Sequence, residues 1–106
     1  MAMIEINEGN YEAEVLGSDG PFLLDFSAVW CGPCQQLKPI LEELAGELGG
    51  TAKIGYCDID QSSSLASKHA VMAVPTMLLF KNGEVAERMQ GLLPKKMILE
   101  KINAHA

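Results

Sequence analysis

Most features that would announce a specialised protein class are missing from this 106-residue chain. It has only three cysteines, Cys31, Cys34 and Cys57. That number is odd and too small for the disulfide framework of a secreted scaffold. Such scarcity predicts a reducing compartment, where a cysteine is kept for catalysis, metal binding or packing. The first residues, Met1-Ala2-Met3-Ile4-Glu5-Ile6-Asn7-Glu8, hold neither the basic nor the apolar region of a secretory signal. No apolar run approaches the ~20 residues that span a bilayer. Lys and Arg number 8 against 14 Asp and Glu, a formal net charge of -6. An acidic surface does not attract polyanions, which disfavours nucleic acid and anionic membranes as partners. Repeats, low-complexity tracts and linkers are also missing. The expectation is one cytoplasmic, monomeric domain over residues 1–106.

What is present is enough apolar sequence, 48% of the residues, for a core without staples. Met3 to Ile6 reads as a short strand. Asn10 to Leu16 reads as a helix that Asn10 can cap and Gly17-Ser18-Asp19-Gly20-Pro21 stops. Phe22 to Ala28 is nearly all apolar, as in a parallel strand covered on both faces. Cys34 to Leu48 carries Leu37, Ile40, Leu41, Leu44, Ala45 and Leu48 at helical spacing. Pro39 inside that pattern predicts a kink, and Gly49-Gly50 ends the helix. Ala52 to Ile59 reads as a strand, Ser62 to Ala70 as a short helix and Thr76 to Lys81 as a buried strand. Asn82-Gly83 signals a type I′ hairpin turn into Glu84 to Gln90. Pro94 opens a last helix that buries Ile98, Leu99 and Ile102. The order β-α-β-α-β-α-β-β-α implies an α/β fold, with a mostly parallel sheet made mixed by the final hairpin and helices on both faces.

Trp30-Cys31-Gly32-Pro33-Cys34 joins the most apolar strand to the longest helix. Free N–H groups and the positive end of the helix dipole face a sulfur at Cys31. A thiolate there is stabilised, so its pKa falls below the free value of ~8.5. The thiolate is the attacking species in disulfide exchange. Cys34 lies one helical turn on, inside the helix, and can attack the mixed disulfide that Cys31 forms. Cys31 is therefore read as the more exposed nucleophile and Cys34 as the resolving thiol. Gly32 allows close approach of a substrate chain, and Pro33 costs no helix hydrogen bond in the first turn. The competing reading is a zinc site of Cys31, Cys34, Cys57 and His69. A second close cysteine pair, usual in such sites, is missing, so neither a metal nor another cofactor is expected.

Asp25-Phe26-Ser27-Ala28-Val29-Trp30-Cys31-Gly32-Pro33-Cys34 resembles the active-site segment of the thioredoxin family, and the resemblance covers essentially the whole chain. Pro39 matches a helix-kinking proline, Val74-Pro75-Thr76 a cis-proline loop opposite the cysteines, Phe80-Lys81-Asn82-Gly83 the hairpin, and Gly91 a glycine of the substrate groove. The resemblance implies the thioredoxin fold, a five-stranded mixed sheet with Phe22 to Ala28 at its centre. It implies a protein-disulfide reductase whose Cys31–Cys34 disulfide is re-reduced by a thioredoxin reductase. The Gly-Pro dipeptide points to the reducing members of the family. The alternative is a redox-independent interaction subunit of the same fold, which the intact dithiol, Asp25 and Pro75 disfavour.

Several residues support the site. Asp25 is a lone acid in an apolar strand, so burial should raise its pKa. The resemblance makes it the proton acceptor for Cys34. Trp30 is expected as a partly exposed lid, its indole held by an acid such as Asp60. Val74 and Pro75 would present backbone to an extended substrate segment. Two departures stand out. Relatives often place a lysine near the aspartate where this chain has Tyr56, whose hydroxyl could donate to Asp25. Many place a second tryptophan where this chain has Ser27, which predicts looser packing under the active-site loop. Cys57 is read as a core residue and His69 as a surface cation at a helix C-terminus. Met72 and Met89 are candidates beside the groove, with packing as the default.

Overall fold

The computed structural model describes residues 3–106. Strands β1 (Ile4–Glu5), β2 (Phe22–Ser27), β3 (Lys53–Asp58), β4 (Thr76–Lys81) and β5 (Glu84–Gln90) form one sheet in the order β1-β3-β2-β4-β5. β3 runs parallel to β1 and β2, whereas β4 is antiparallel to β2 and β5. Helices α1 (Gly32–Leu48), α2 (Ser63–Lys68) and α3 (Lys95–Ala104) complete the chain. None of the helices among the described residues is long and apolar enough to cross a membrane.

The two-residue period of β2 divides the core. Leu23 packs with Leu37, Leu41 and Leu44 of α1 and with Ile98 and Ile102 of α3. Phe22, Leu24 and Phe26 point the other way, against Tyr11, Val15 and Leu65. Both faces are therefore covered, and Phe22, Leu23, Leu24 and Phe26 lose all solvent contact. Asp25 shares the parity of Leu23, which puts its carboxyl on the α1 face.

The turn chemistry follows the residues. Asn82 and Gly83 both take positive φ, 54° and 79°, as a type I′ turn demands. Gly49, in the left-handed region, ends α1. Pro39 lies inside α1, which continues across it with the Gln35 carbonyl deprived of its usual intrahelical donor. Pro94 is extended and precedes α3; its carbonyl accepts the first helical N–H groups, from Met97 and Ile98. Ile98 and Ile102 are buried as expected, with Leu99 partly so.

Three local expectations need correction. The Asn10 to Leu16 segment is a single π-type turn over Glu12–Leu16, closed by the Gly17 N–H donating to Glu12 O at 3.0 Å. Asn10 does not cap it with its side chain. Its Oδ1 accepts the Asn7 N–H and its Nδ2 donates to Glu5 O, both at 2.8 Å, so the amide stabilises the preceding turn instead. The second helix stops at Lys68, short of Ala70, whose φ is 53°. There Arg88 donates to the carbonyls of His69 and Ala70 at 2.7 and 2.8 Å, satisfying backbone acceptors that the helix leaves open. His69 is no surface cation. It is half-buried, its Nε2 is 2.7 Å from the Tyr11 hydroxyl, and its ring meets Phe26 and Phe80. Burial, then Lys68 and Arg88, pushes its pKa down, so the neutral ring is favoured.

Gly55, in β3, marks a close backbone approach between β1 and β2. A Cβ there would lie 2.7 Å from Ile4 O and 2.8 Å from Phe22 Cζ. Gly46, in α1, has nothing within 4 Å of the same position. Gly55→Ala should therefore cost about 1–3 kcal/mol, and Gly46→Ala should add about 0.5–1 kcal/mol. Urea unfolding of the two variants beside wild type measures both; equal effects would contradict the packing described.

Candidate active site

The site is built where β2 gives way to α1. Cys31 is the residue just before the helix, in extended conformation, with φ -93° and ψ 113°. Its sulfur accepts the backbone N–H of Cys34 at 3.2 Å. One orphan donor of the helix N-terminus is thus aimed at the sulfur, the arrangement that favours a thiolate. Pro33 sits in the first turn, where it removes no intrahelical bond. Gly32 is exposed, with open space where a Cβ would be. The Cys31 and Cys34 sulfurs are joined as a disulfide, with Cα atoms 5.2 Å apart. Both are largely covered, Cys31 at 5% exposure and Cys34 at 1%, in the order expected.

The loop that carries Val74 meets the cysteines. Val74 packs on Ala28, Cys31 and Cys34, and its carbonyl oxygen is 3.6 Å from Cys31 Sγ. The Val74–Pro75 peptide is cis. Pro75 O accepts the Gly91 N–H at 2.9 Å, which draws the end of β5 alongside. Gly91 has φ 87°, a region that side chains rarely adopt. Trp30 is 67% exposed, and its indole donates to Asp60 Oδ2 at 2.8 Å, as anticipated. Asp60 is anchored in turn through its own N–H, which donates to Asp58 Oδ1. Val29, Met72 and Leu92 are further exposed apolar residues on these loops. Met89, by contrast, belongs to the core.

Asp25 lies beneath, on the α1 face of β2. It is 2% exposed and its Oδ1 has no hydrogen-bond partner among the described residues. Burial pushes its carboxyl up to about 8. Tyr56 is its direct neighbour across the β2–β3 pairing, yet the tyrosine hydroxyl is not a donor to that oxygen. The Tyr56 ring instead lies under the Lys38 ammonium, 5.4 Å from its centroid. Asp25, Ser27, Gln35, Lys38 and Tyr56 line a pocket of about 90 Å³. Ser27 thus borders a recess that also reaches Asp25. Gln35 and Lys38 escaped the sequence reading. Their signal was spacing alone, Lys38 falling one turn beyond Cys34 on the same helix.

The zinc alternative does not assemble. Cys57 belongs to the cluster of Phe26 and Leu65, on the opposite sheet face from Asp25. His69 Nε2 is taken by Tyr11. Among the described residues, no group of three or more His, Cys, Asp or Glu could hold a metal ion. Cys57 is fully buried and its thiol is pushed up to about 11, first by burial, which suits a packing residue.

A sulfur at a helix N-terminus, paired one turn on with a covered second sulfur, defines a thiol–disulfide oxidoreductase. The chain belongs to the thioredoxin family, whose model, described as Thioredoxin, matches residues 2–104. It is 44% identical over 101 residues to Thioredoxin 2 of Chlorobaculum tepidum, covering 95% of this chain and 93% of that one. It is 42% identical over 105 residues to Thioredoxin of Bacillus subtilis, covering 99% of each. The match to Thioredoxin of Haemophilus influenzae is 42% over 103 residues, 97% and 96% of the two chains.

The raised Asp25 links proton binding to stability. The folded, oxidised protein keeps this proton up to about pH 8, whereas an unfolded aspartate releases it near pH 3.9. Between those limits the unfolded chain binds fewer protons, so stability falls as pH rises from about 4 to about 8 and then levels. Asp25→Asn should flatten that slope and leave the oxidised protein about 2–4 kcal/mol more stable than wild type at pH 7. Denaturant unfolding at intervals from pH 4 to 9 checks this, and an unchanged slope in the variant would refute it.

Proposed function

We propose that this protein reduces disulfide bonds in other proteins, with Cys31 attacking and Cys34 resolving. The observation that carries the reading is the Cys34 N–H aimed at Cys31 Sγ at 3.2 Å, at the start of a long helix. The Cys31 thiolate attacks one sulfur of the substrate disulfide, and the other substrate sulfur leaves as a thiolate. Cys34 loses its proton to the Asp25 carboxylate and attacks Cys31 Sγ. The second substrate thiolate then departs, leaving the Cys31–Cys34 disulfide. Asp25 is suited to this task because a base works best with a pKa near the operating pH.

The substrate is an extended segment carrying apolar side chains. Val74 and Pro75 supply backbone for it to pair with, in the manner of an added strand. Gly91 and Gly32 leave room beside the dithiol, while Trp30 offers an apolar surface. The disulfide is returned to the dithiol by a thioredoxin reductase, and the protein works as a monomer in the cytoplasm. The relatives' shared name, Thioredoxin, supports this assignment.

Insulin reduction driven by dithiothreitol tests the reading. Wild type should accelerate precipitation of the insulin B chain. Cys31→Ser should be inactive, and Cys34→Ser should lose turnover by about 100-fold or more while accumulating a mixed disulfide on Cys31. The pH–rate profile should lie above that of relatives with a lysine near the aspartate. A wild type without activity would overturn the reductase assignment, and full activity in Cys34→Ser would overturn the role of the resolving thiol.

A further inference from the structure

The segment that faces the dithiol starts at a strained corner. α2 ends in a pair of hydrogen bonds: the Val71 N–H donates to Ala66 O at 2.8 Å and the Ala70 N–H to Ser67 O at 3.1 Å. The residue at the turn of this motif takes the left-handed conformation and is usually glycine. Here it is Ala70, at φ 53°, where a Cβ is unfavourable. From that corner the chain needs only residues 71–74 to reach the cis peptide before Pro75. Val71 packs against the core cluster of Tyr11 and Phe26, and Val74 rests on Cys31. The far end of the segment is tied by the Thr76 hydroxyl, which donates to Ala73 O at 2.7 Å.

The near end is tied from another strand. Arg88 of β5 donates through Nη1 to His69 O at 2.7 Å and through Nη2 to Ala70 O at 2.8 Å. Its partner across the β4–β5 pairing is Leu78, which belongs to the cluster of Phe26 and Leu65. Cross-strand partners share a face, so Arg88 rises from the α2 side of the sheet. A planar guanidinium can serve two acceptors at once, and a charged donor makes the stronger kind of hydrogen bond. The two carbonyls belong to the peptide units on either side of the Ala70 Cα. The fork therefore fixes the backbone of the one residue here that glycine would suit better. Lys68, the other nearby cation, is engaged elsewhere, its ammonium 5.0 Å from the Tyr11 ring centroid.

We propose that Arg88 is a positioning residue that makes the protein selective for extended protein disulfides over small ones, by holding the Ala70 corner so that Val74 stands ready to pair with substrate backbone. The proposal rests on the reading of Val74 and Pro75 as the backbone that a substrate segment joins. A protein substrate needs the dithiol and that backbone together. A small disulfide needs the dithiol alone. Loosening the corner lowers the fraction of molecules whose loop is ready, and apparent affinity falls by the same fraction. The attacking sulfur is affected far less, because the N–H that supports Cys31 Sγ comes from Cys34 in α1.

Trp30 is the only tryptophan of the chain, so its fluorescence follows oxidation of the reduced protein in stopped-flow single turnovers. The extended substrate is a disulfide-linked dimer of an uncharged apolar octapeptide with blocked ends and a central cysteine. The small substrate is hydroxyethyl disulfide. Neither carries charge, so losing the Arg88 charge does not alter encounter. Arg88→Met keeps the apolar stem and removes the donors. It should raise the half-saturating peptide concentration about tenfold, with the limiting rate and the hydroxyethyl disulfide rate within about twofold of wild type. Arg88→Lys should recover part of the loss. Ala70→Gly in the Arg88→Met background should recover most of it, since glycine holds a positive φ unaided. Arg88→Ala serves if the methionine variant does not fold, which urea unfolding checks. An unmoved half-saturating concentration, or an equal loss with hydroxyethyl disulfide, overturns the positioning role. No recovery with Ala70→Gly overturns the corner as its route. Peptides N-methylated at the residues flanking the cysteine test the underlying reading separately: a wild type that takes them as readily as the parent does not pair with substrate backbone at all.

Discussion

A carboxyl oxygen without a hydrogen-bond partner among the described residues, in a strand packed on both faces, is the constraint around which the site is organised. Asp25 sits in β2, the middle strand of the sheet, between Leu24 and Phe26, which lose all solvent contact. Ionising it there is opposed by desolvation. The protein therefore carries a neutral acid through most of the acidic range and gains a base only near neutrality. A fully packed, apolar β2 would serve the core better. In the proposed reaction the carboxyl supplies a proton acceptor fixed on the central strand, under the loop that carries the dithiol.

The cysteines divide the work because the helix start treats them differently. Cys31 is extended and outside the helix, so its sulfur can receive an N–H that the first turn cannot satisfy. Cys34 is inside the helix, and its own N–H makes that bond. The same residue thus supports the Cys31 sulfur through its backbone and, in the proposed reaction, resolves the mixed disulfide through its side chain. Removing the Cys34 side chain leaves the backbone donor in place, which is why attack and resolution can be separated experimentally.

Much of this was legible in the residues. The unbroken apolar run of β2, the Asn82-Gly83 turn and the stripe of Leu37, Leu41 and Leu44 each carry their own local physics, and the structure follows them. The strand-to-helix position of Cys31 was equally readable, because the chemistry depends on the helix end rather than on distant contacts. The misreadings share a cause. Asn10, His69 and Tyr56 are polar residues with more than one available partner, and tertiary geometry decides between them. Asn10 turned to Asn7 and Glu5 rather than to a helix. His69 was drawn inward by Tyr11 and two phenylalanine rings. Tyr56 lies beside Asp25 in register but gives its ring to Lys38. No local pattern announces such choices.

Ser27 and Tyr56 are best understood together. Ser27 is small and Tyr56 is neutral, and both line the recess beside Asp25. The Tyr56 ring lies under the ammonium of Lys38, a residue of α1. That cation comes from α1 rather than from β3, and it is exposed. An exposed cation is more easily screened by salt than a buried neighbour. In this arrangement burial, more than a paired charge, sets how readily the carboxyl ionises.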